Sequence, residues 1–115
     1  MIAQTKLIVL PDHRKEFFQS IGPHSHRIRN EEGCINYGLY AEAGNENSFM
    51  LVEDWEAEAQ WMKHRTGENF SVLLGLVAAV SIPGKTDFKL LSRIGGNELI
   101  KTKAGPLSRL PGRER

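Results

Sequence analysis

His64 and Trp61 stand three residues apart in a stretch, 56–65, whose composition reads as helix, so one helix face can carry both. Together they offer a proton acceptor beside an aromatic wall. An imidazole titrates near neutrality, which suits it to take a proton from a bound molecule. The competing reading is that His64 caps or lines the solvent edge of a helix close to its end. His24 lies three residues from Ile21 and four from Ile28, on an apolar stripe, and should point towards the core. It is either a core histidine with one satisfied hydrogen bond or a second acid–base group. His26 falls out of phase with His24 and should face solvent. The His24-x-His26 pair therefore points apart, no carboxylate or cysteine completes a ligand set, and no metal site is expected.

Glu53 shares a strand face with Leu51 and Trp55. A carboxyl in that company must be paired, or sit at a pocket mouth or an interface. Arg93 is a candidate partner across such an interface. Trp55 and Trp61 suit core packing or stacking on an aromatic ligand. Tyr37 and Tyr40 fall on opposite faces of one strand, where a hydroxyl can orient a ligand or make a structural hydrogen bond. Cys34 has no activating neighbour in sequence and reads as a small buried hydrophobe.

The elements that must position these groups are legible in order. Residues 2–10 are β-branched and apolar and end at Pro11, which predicts a strand. Pro11-Asp12 opens a helix whose stripe (Phe17, Phe18, Ile21, Ser25, Ile28) runs from about 13 to 30. Pro23 should kink or split it. Strands are expected at 34–41 and 48–55, joined by the turn-forming loop 42–47. Helical pieces at 56–65 and 68–80 are separated around Thr66-Gly67, and a last strand spans 86–94. A short helical turn is expected from Glu98 to Lys103, then a mobile tail carrying Lys101, Lys103, Arg109, Arg113 and Arg115.

The order β-α-β-β-α-β is the ferredoxin-like plan of an α+β protein with a four-stranded antiparallel sheet. The 48–55 strand is apolar on both faces: Phe49, Leu51 and Trp55 on one, Met50 and Val52 on the other. Helices can cover only one face, so the other calls for a second copy packed sheet against sheet, a homodimer.

At 115 residues the chain suits one domain. A net charge of +1 argues against a dedicated nucleic-acid or membrane-surface binder. The single cysteine excludes an intramolecular disulfide. The first residues lack a charged start followed by a long apolar run, so no signal peptide is expected. The longest apolar stretch, Leu73 to Val80, is broken by Gly75 and is too short for a bilayer. These features suit a soluble cytoplasmic protein.

The run Glu32-Gly33-Cys34-Ile35-Asn36-Tyr37-Gly38-Leu39-Tyr40 is followed by Phe49-Met50-Leu51-Val52-Glu53-Asp54-Trp55-Glu56, and then by His64 with Phe70 six residues on. This pattern resembles the antibiotic biosynthesis monooxygenase family, over roughly residues 2–94. The resemblance implies a dimeric α+β barrel domain over residues 1–95, with 96–115 as a partly flexible C-terminal extension. It also implies oxygenation of activated phenols or quinols without metal, flavin or haem, hence no cofactor and a small aromatic ligand. On that reading the catalytic candidates are His64 and His24. The substrate-binding candidates are Trp61, Tyr37, Trp55, Glu53 and Phe70.

Two other readings stand beside it. Haem-degrading barrels are similar in fold, but carry a haem-ligating histidine where this chain has Leu74, and a first-strand asparagine where it has Gln4 and Thr5. A non-catalytic small-molecule-binding or stress-associated dimer predicts a sealed interior near His24 and His64. An open pocket there counts against it.

Overall fold

The structure, a computed structural model, describes residues 1–100. Its strands are β1 (Ile2–Ile8), β2 (Cys34–Ala41), β3 (Ser48–Trp55) and β4 (Asp87–Leu91). Its helices are α1 (Arg14–Arg29), entered through a 3-10 turn at Pro11–His13, then α2 (Glu58–Arg65), α3 (Glu68–Val80) and a single turn, α4 (Asn97–Leu99). All three strand pairings are antiparallel and the sheet order is β2-β3-β1-β4, the ferredoxin-like α+β arrangement.

Period-two alternation decides which side chains meet the helices. Along β3, Phe49, Leu51, Glu53 and Trp55 are buried while Met50, Val52 and Asp54 are half-buried on the other face. β1 follows with Ala3, Thr5 and Leu7 buried. Against this face α1 packs Phe17, Ile21, His24, Ser25 and Ile28, and α3 packs Leu73, Val77 and Val80. Phe17 and Phe49 meet at 5.2 Å between ring centroids, with Phe18 edge-on to Phe49. Each fully buried aliphatic or phenylalanine side chain among these contributes about 1.5–3 kcal/mol relative to exposure. Among the described residues no helix covers the opposite face, where Ile2, Met50 and Val52 are half-buried and Tyr40 and Leu91 are exposed.

Several boundaries differ from the expectations above. α1 runs unbroken through Pro23. The proline removes only the hydrogen bond to the Gln19 carbonyl, and Gln19, Gly22 and Pro23 all lie on the exposed side, where water can replace it. β1 stops at Ile8 because the chain changes partners there: Val9 bridges Ser81, and the Leu10 amide donates to the Val80 carbonyl. β4 ends at Leu91, which pairs with Ile2, the first residue of β1. The helix expected from residue 56 starts at Glu58. The turn expected at 98–103 is seen as Asn97–Leu99, and the basic tail lies outside the described residues. Cys34 is half-buried, not buried, because it opens β2 beside an irregularity between Cys34 and Asn36.

The turn between α1 and β2 is built on Gly33, at φ +84°. A Cβ there would collide with the Gln60 side chain of α2, so only glycine fits. The Gly33 carbonyl also accepts the Glu56 amide, tying the turn to the end of β3. Among the described residues no helix is long and apolar enough to cross a membrane.

Candidate functional site

α2 is short, and its helical spacing turns Trp61 and His64 inward together. His64 is only 1 % exposed, under β3. Its ring stacks on Trp55, centroids 4.7 Å apart, and meets the edge of Phe70 at 5.5 Å. The aromatic partner of His64 is therefore Trp55 rather than its helix neighbour Trp61, and the ring is far from the solvent edge.

Two carboxyls bracket this imidazole. Glu31, in the turn after α1, lies 2.8 Å from Nδ1, which donates to its Oε2. Asn69 of α3 donates to the same oxygen at 3.2 Å. On the other side Nε2 faces Glu53 Oε1 at 3.7 Å and has no hydrogen-bond partner among the described residues. Glu53 is 2 % exposed and accepts the Trp55 indole N–H at 2.9 Å. Burial pushes its carboxyl above the ordinary range; the Trp55 hydrogen bond and His64 pull it partly back, and Glu31 adds to the rise. Within the chain it is Trp55 and His64 that meet this carboxyl. Glu53 points under the helices, held by Trp55 and beside His64, because its strand face is the covered one.

Glu53 also opens onto a cavity of about 370 Å³ between the sheet and α2 and α3. Trp61, Phe70, Leu74, Phe88 and Leu90 give it apolar walls. Thr5 and Glu53 supply polar groups from β1 and β3, and Arg65 of α2 supplies a cation. The Arg65 guanidinium lies 5.5 Å from the Trp61 ring centroid. His64 is not in the lining; it stands directly behind Glu53. A mostly apolar chamber with one buried acid in its wall and an imidazole behind that acid is equipped to bind a flat aromatic molecule and take a proton from it.

The remaining candidates sit nearby without lining the cavity. His24 is 1 % exposed, and neither ring nitrogen has a hydrogen-bond partner among the described residues, so the expected single bond is absent. Burial, then Arg27 and His64, lower its pKa, while Glu31 opposes them. His26 is exposed, next to Asn30, so the two histidines of that pair do point apart. Tyr37 pairs with Glu53 across the β2–β3 ladder, its hydroxyl buried and unpartnered among the described residues. Burial and Glu53 push that phenol up. Tyr40 is on the uncovered face.

Glu31, Asn69 and Arg65 are the residues that sequence reasoning missed. Glu31 belongs to a helix-ending Glu-Glu-Gly run and reads as a solvated stop signal. Nothing in spacing ties it to a histidine 33 positions later.

Several known proteins resemble this chain. A Bacillus subtilis protein named as a candidate monooxygenase, YcnE, is 36 % identical over 73 residues, which span 61 % of this chain and 74 % of YcnE. Among solved structures, a conserved protein from Methanosarcina mazei superposes with a TM-score of 0.73 at 24 % identity, covering 80 % of this chain and 90 % of that one. SnoaB of Streptomyces nogalater, a cofactor-independent oxygenase, superposes with a TM-score of 0.72 at 14 % identity, covering 84 % and 94 %. At those identities the two structures show the shared fold. The family model described as "Antibiotic biosynthesis monooxygenase" matches residues 1–73, more than half of the sequence, and the chain belongs to that family.

Proposed function

We propose that this protein is a cofactor-independent monooxygenase acting on a quinol-like or polycyclic aromatic small molecule held in the cavity beside Glu53. The observation that carries this reading is the placement of one buried carboxyl in the wall of a mostly apolar, aromatic-lined chamber. An electron-rich phenol has a pKa near ~10 and reacts slowly with oxygen until it is deprotonated. A carboxyl raised by burial is a stronger base when ionised, and a dry site favours proton transfer to it. The phenolate then passes an electron to O2, and the two radicals combine at carbon. Loss of water leaves a carbonyl, one oxygen atom in the product and one in water, with both electrons supplied by the substrate.

Trp61 and Phe70 flank the ring system, and Arg65 offers a cation to an anionic substituent. Within this reading His64 acts behind Glu53, while His24, Tyr37 and Trp55 shape its surroundings. The protein works as a homodimer through the uncovered sheet face, where Met50, Val52 and Leu91 need a second sheet. A reducing cytoplasm, in which Cys34 stays a thiol, suits it.

Oxygen uptake by the metal-free protein against dihydroxynaphthalene- and anthrone-like compounds tests the reading, with Glu53→Gln and His64→Ala alongside. Uptake well above the uncatalysed rate, lost in both variants, is expected. Absence of uptake with every compound overturns it in favour of a binding protein.

A further inference from the structure

His64 Nδ1 lies 2.8 Å from Glu31 Oε2, and a carboxylate can only accept there; with the ring hydrogen on Nδ1, the Nε2 lone pair faces Glu53, buried and unpartnered among the described residues. That lone pair is 3.7 Å from Glu53 Oε1, about half an ångström beyond the ~3.2 Å limit for proton transfer. A small rotation of the carboxyl closes the gap. The arrangement has the logic of a carboxylate that orients a histidine by holding one ring nitrogen while the other does chemistry.

We propose that Glu31 is a positioning residue that holds His64 in its Nδ1–H form, so that Nε2 stores the proton Glu53 takes from the substrate. The assignment rests on the oxygenase reading above. The substrate O–H bond breaks as a Glu53 O–H bond forms; that bond then breaks as His64 Nε2–H forms. The imidazolium is neutralised by the Glu31 carboxylate, itself braced by Asn69. After O2 has added to the ring carbon, the peroxide oxygen takes the proton back through Glu53. That return restores His64, and the hydroperoxide then loses water: its O–O bond and the C–H bond on the same carbon break, the hydrogen leaves with the terminal hydroxyl, and a carbonyl remains. The cycle needs no proton from bulk solvent, and the two side chains that carry the proton, Glu53 and His64, are both buried.

The groups facing this pair are few. His24 of α1 lies close enough to sense His64 and Glu31, and Tyr37 and Cys34 of β2 sense Glu53. None of them makes a hydrogen bond to either member of the pair among the described residues. Lys63 and Arg65, on the His64 helix itself, are exposed.

The test combines two measurements on the full chain and on Glu31→Ala. Nitrogen-15 histidine NMR without ligand reads the tautomer of His64: Nδ1–H is expected in the parent and a shift towards Nε2–H in the variant. Oxygen uptake against pH with an anthrone-like quinol reads the chemistry. For Glu31→Ala we expect kcat to fall between ~10- and ~100-fold, the range for loss of an outer partner that orients a histidine, with KM within about twofold. The pH profile should change as well, which loss of packing alone does not do. An Nε2–H His64 in the parent, or a variant with unchanged kcat and pH profile, overturns the proposal. If the parent takes up no oxygen, the oxygenase reading falls, and the tautomer measurement alone decides whether Glu31 positions His64.

Discussion

The indole N–H of Trp55 donates to the carboxyl of Glu53, two residues back on the same face of β3, at 2.9 Å. This bond opposes burial, which raises the Glu53 carboxyl. A carboxyl raised on folding binds more protons in the native state, so stability falls as pH climbs from the ordinary carboxylate range through the native value. Trp55→Phe keeps an aromatic ring against His64 but deletes the donor. We expect it to cost about 1–3 kcal/mol and to extend that decline to higher pH. Thermal melts from pH 4 to 9 measure both; a variant whose pH dependence matches the parent removes Trp55 from control of Glu53.

His24 has the opposite sign. Its lowered pKa means that the unfolded chain takes up the proton first, so its contribution is complete above 6.5 and is lost as pH falls below that value. His24→Leu removes a buried ring with two unpartnered nitrogens and should be neutral or stabilising at pH 7.5. The gap in melting temperature between variant and parent should widen in the variant's favour towards pH 5. A constant gap would show that His24 does not titrate on unfolding.

Leu73 and Leu74 are sequence neighbours with separate tasks. Leu73 is fully buried in the core, and Leu74 is 42 % exposed at the cavity. Leu73→Ala should cost about 2–5 kcal/mol of stability. Leu74→Ala should cost under about 1 kcal/mol and weaken binding of an aromatic ligand instead. Denaturant titration and ligand fluorescence separate the two; equal stability losses would contradict the assignment.

The uncovered sheet face predicts its own disruption. Val52 lies at its centre, paired with Gln4 and Gly38 of the flanking strands. Val52→Lys puts a charge there without touching the helix-side core, and should shift a dimer to monomer by light scattering with the far-UV spectrum unchanged. A parent that is already monomeric would end the homodimer proposal.

Cys34 should be inert. Burial, then Glu53, raise its thiol to about 11. At pH 8 that leaves roughly 100-fold less thiolate than an ordinary cysteine, and alkylation should slow accordingly. Labelling at the rate of a free thiol would contradict this environment.

The fold was readable because its signals are local. Alternation along 48–55 separates Phe49, Leu51, Glu53 and Trp55 from Met50 and Val52, as the structure does. Turn chemistry at 42–47 and the break at Thr66-Gly67 place the neighbouring elements correctly. The site was readable only in part. The helical spacing of Trp61 and His64 turns both inward, but which side chain reaches the cavity depends on how α2 sits over β3, and Glu53 intervenes. Glu31 was not legible, since its role follows from the crossing of a turn over a helix far along the chain. Pro23 misled for a related reason: a helix tolerates a proline more readily where the freed carbonyl can reach water, and exposure is a tertiary property.

Gly33 makes the site intolerant of change in one loop and not in another. Its carbonyl and its missing side chain press the Glu31 turn onto β3 and α2, so an added residue between Asn30 and Cys34 would move one carboxylate off the imidazole while leaving the sheet intact. The hairpin at 42–47 has no such packing constraint: Gly44 also sits at φ +84°, but a Cβ there would face open space. Diversification of this scaffold, by nature or by design, has room for insertions and labels at the hairpin, while the short α1–β2 turn sets the reach of its acid–base pair.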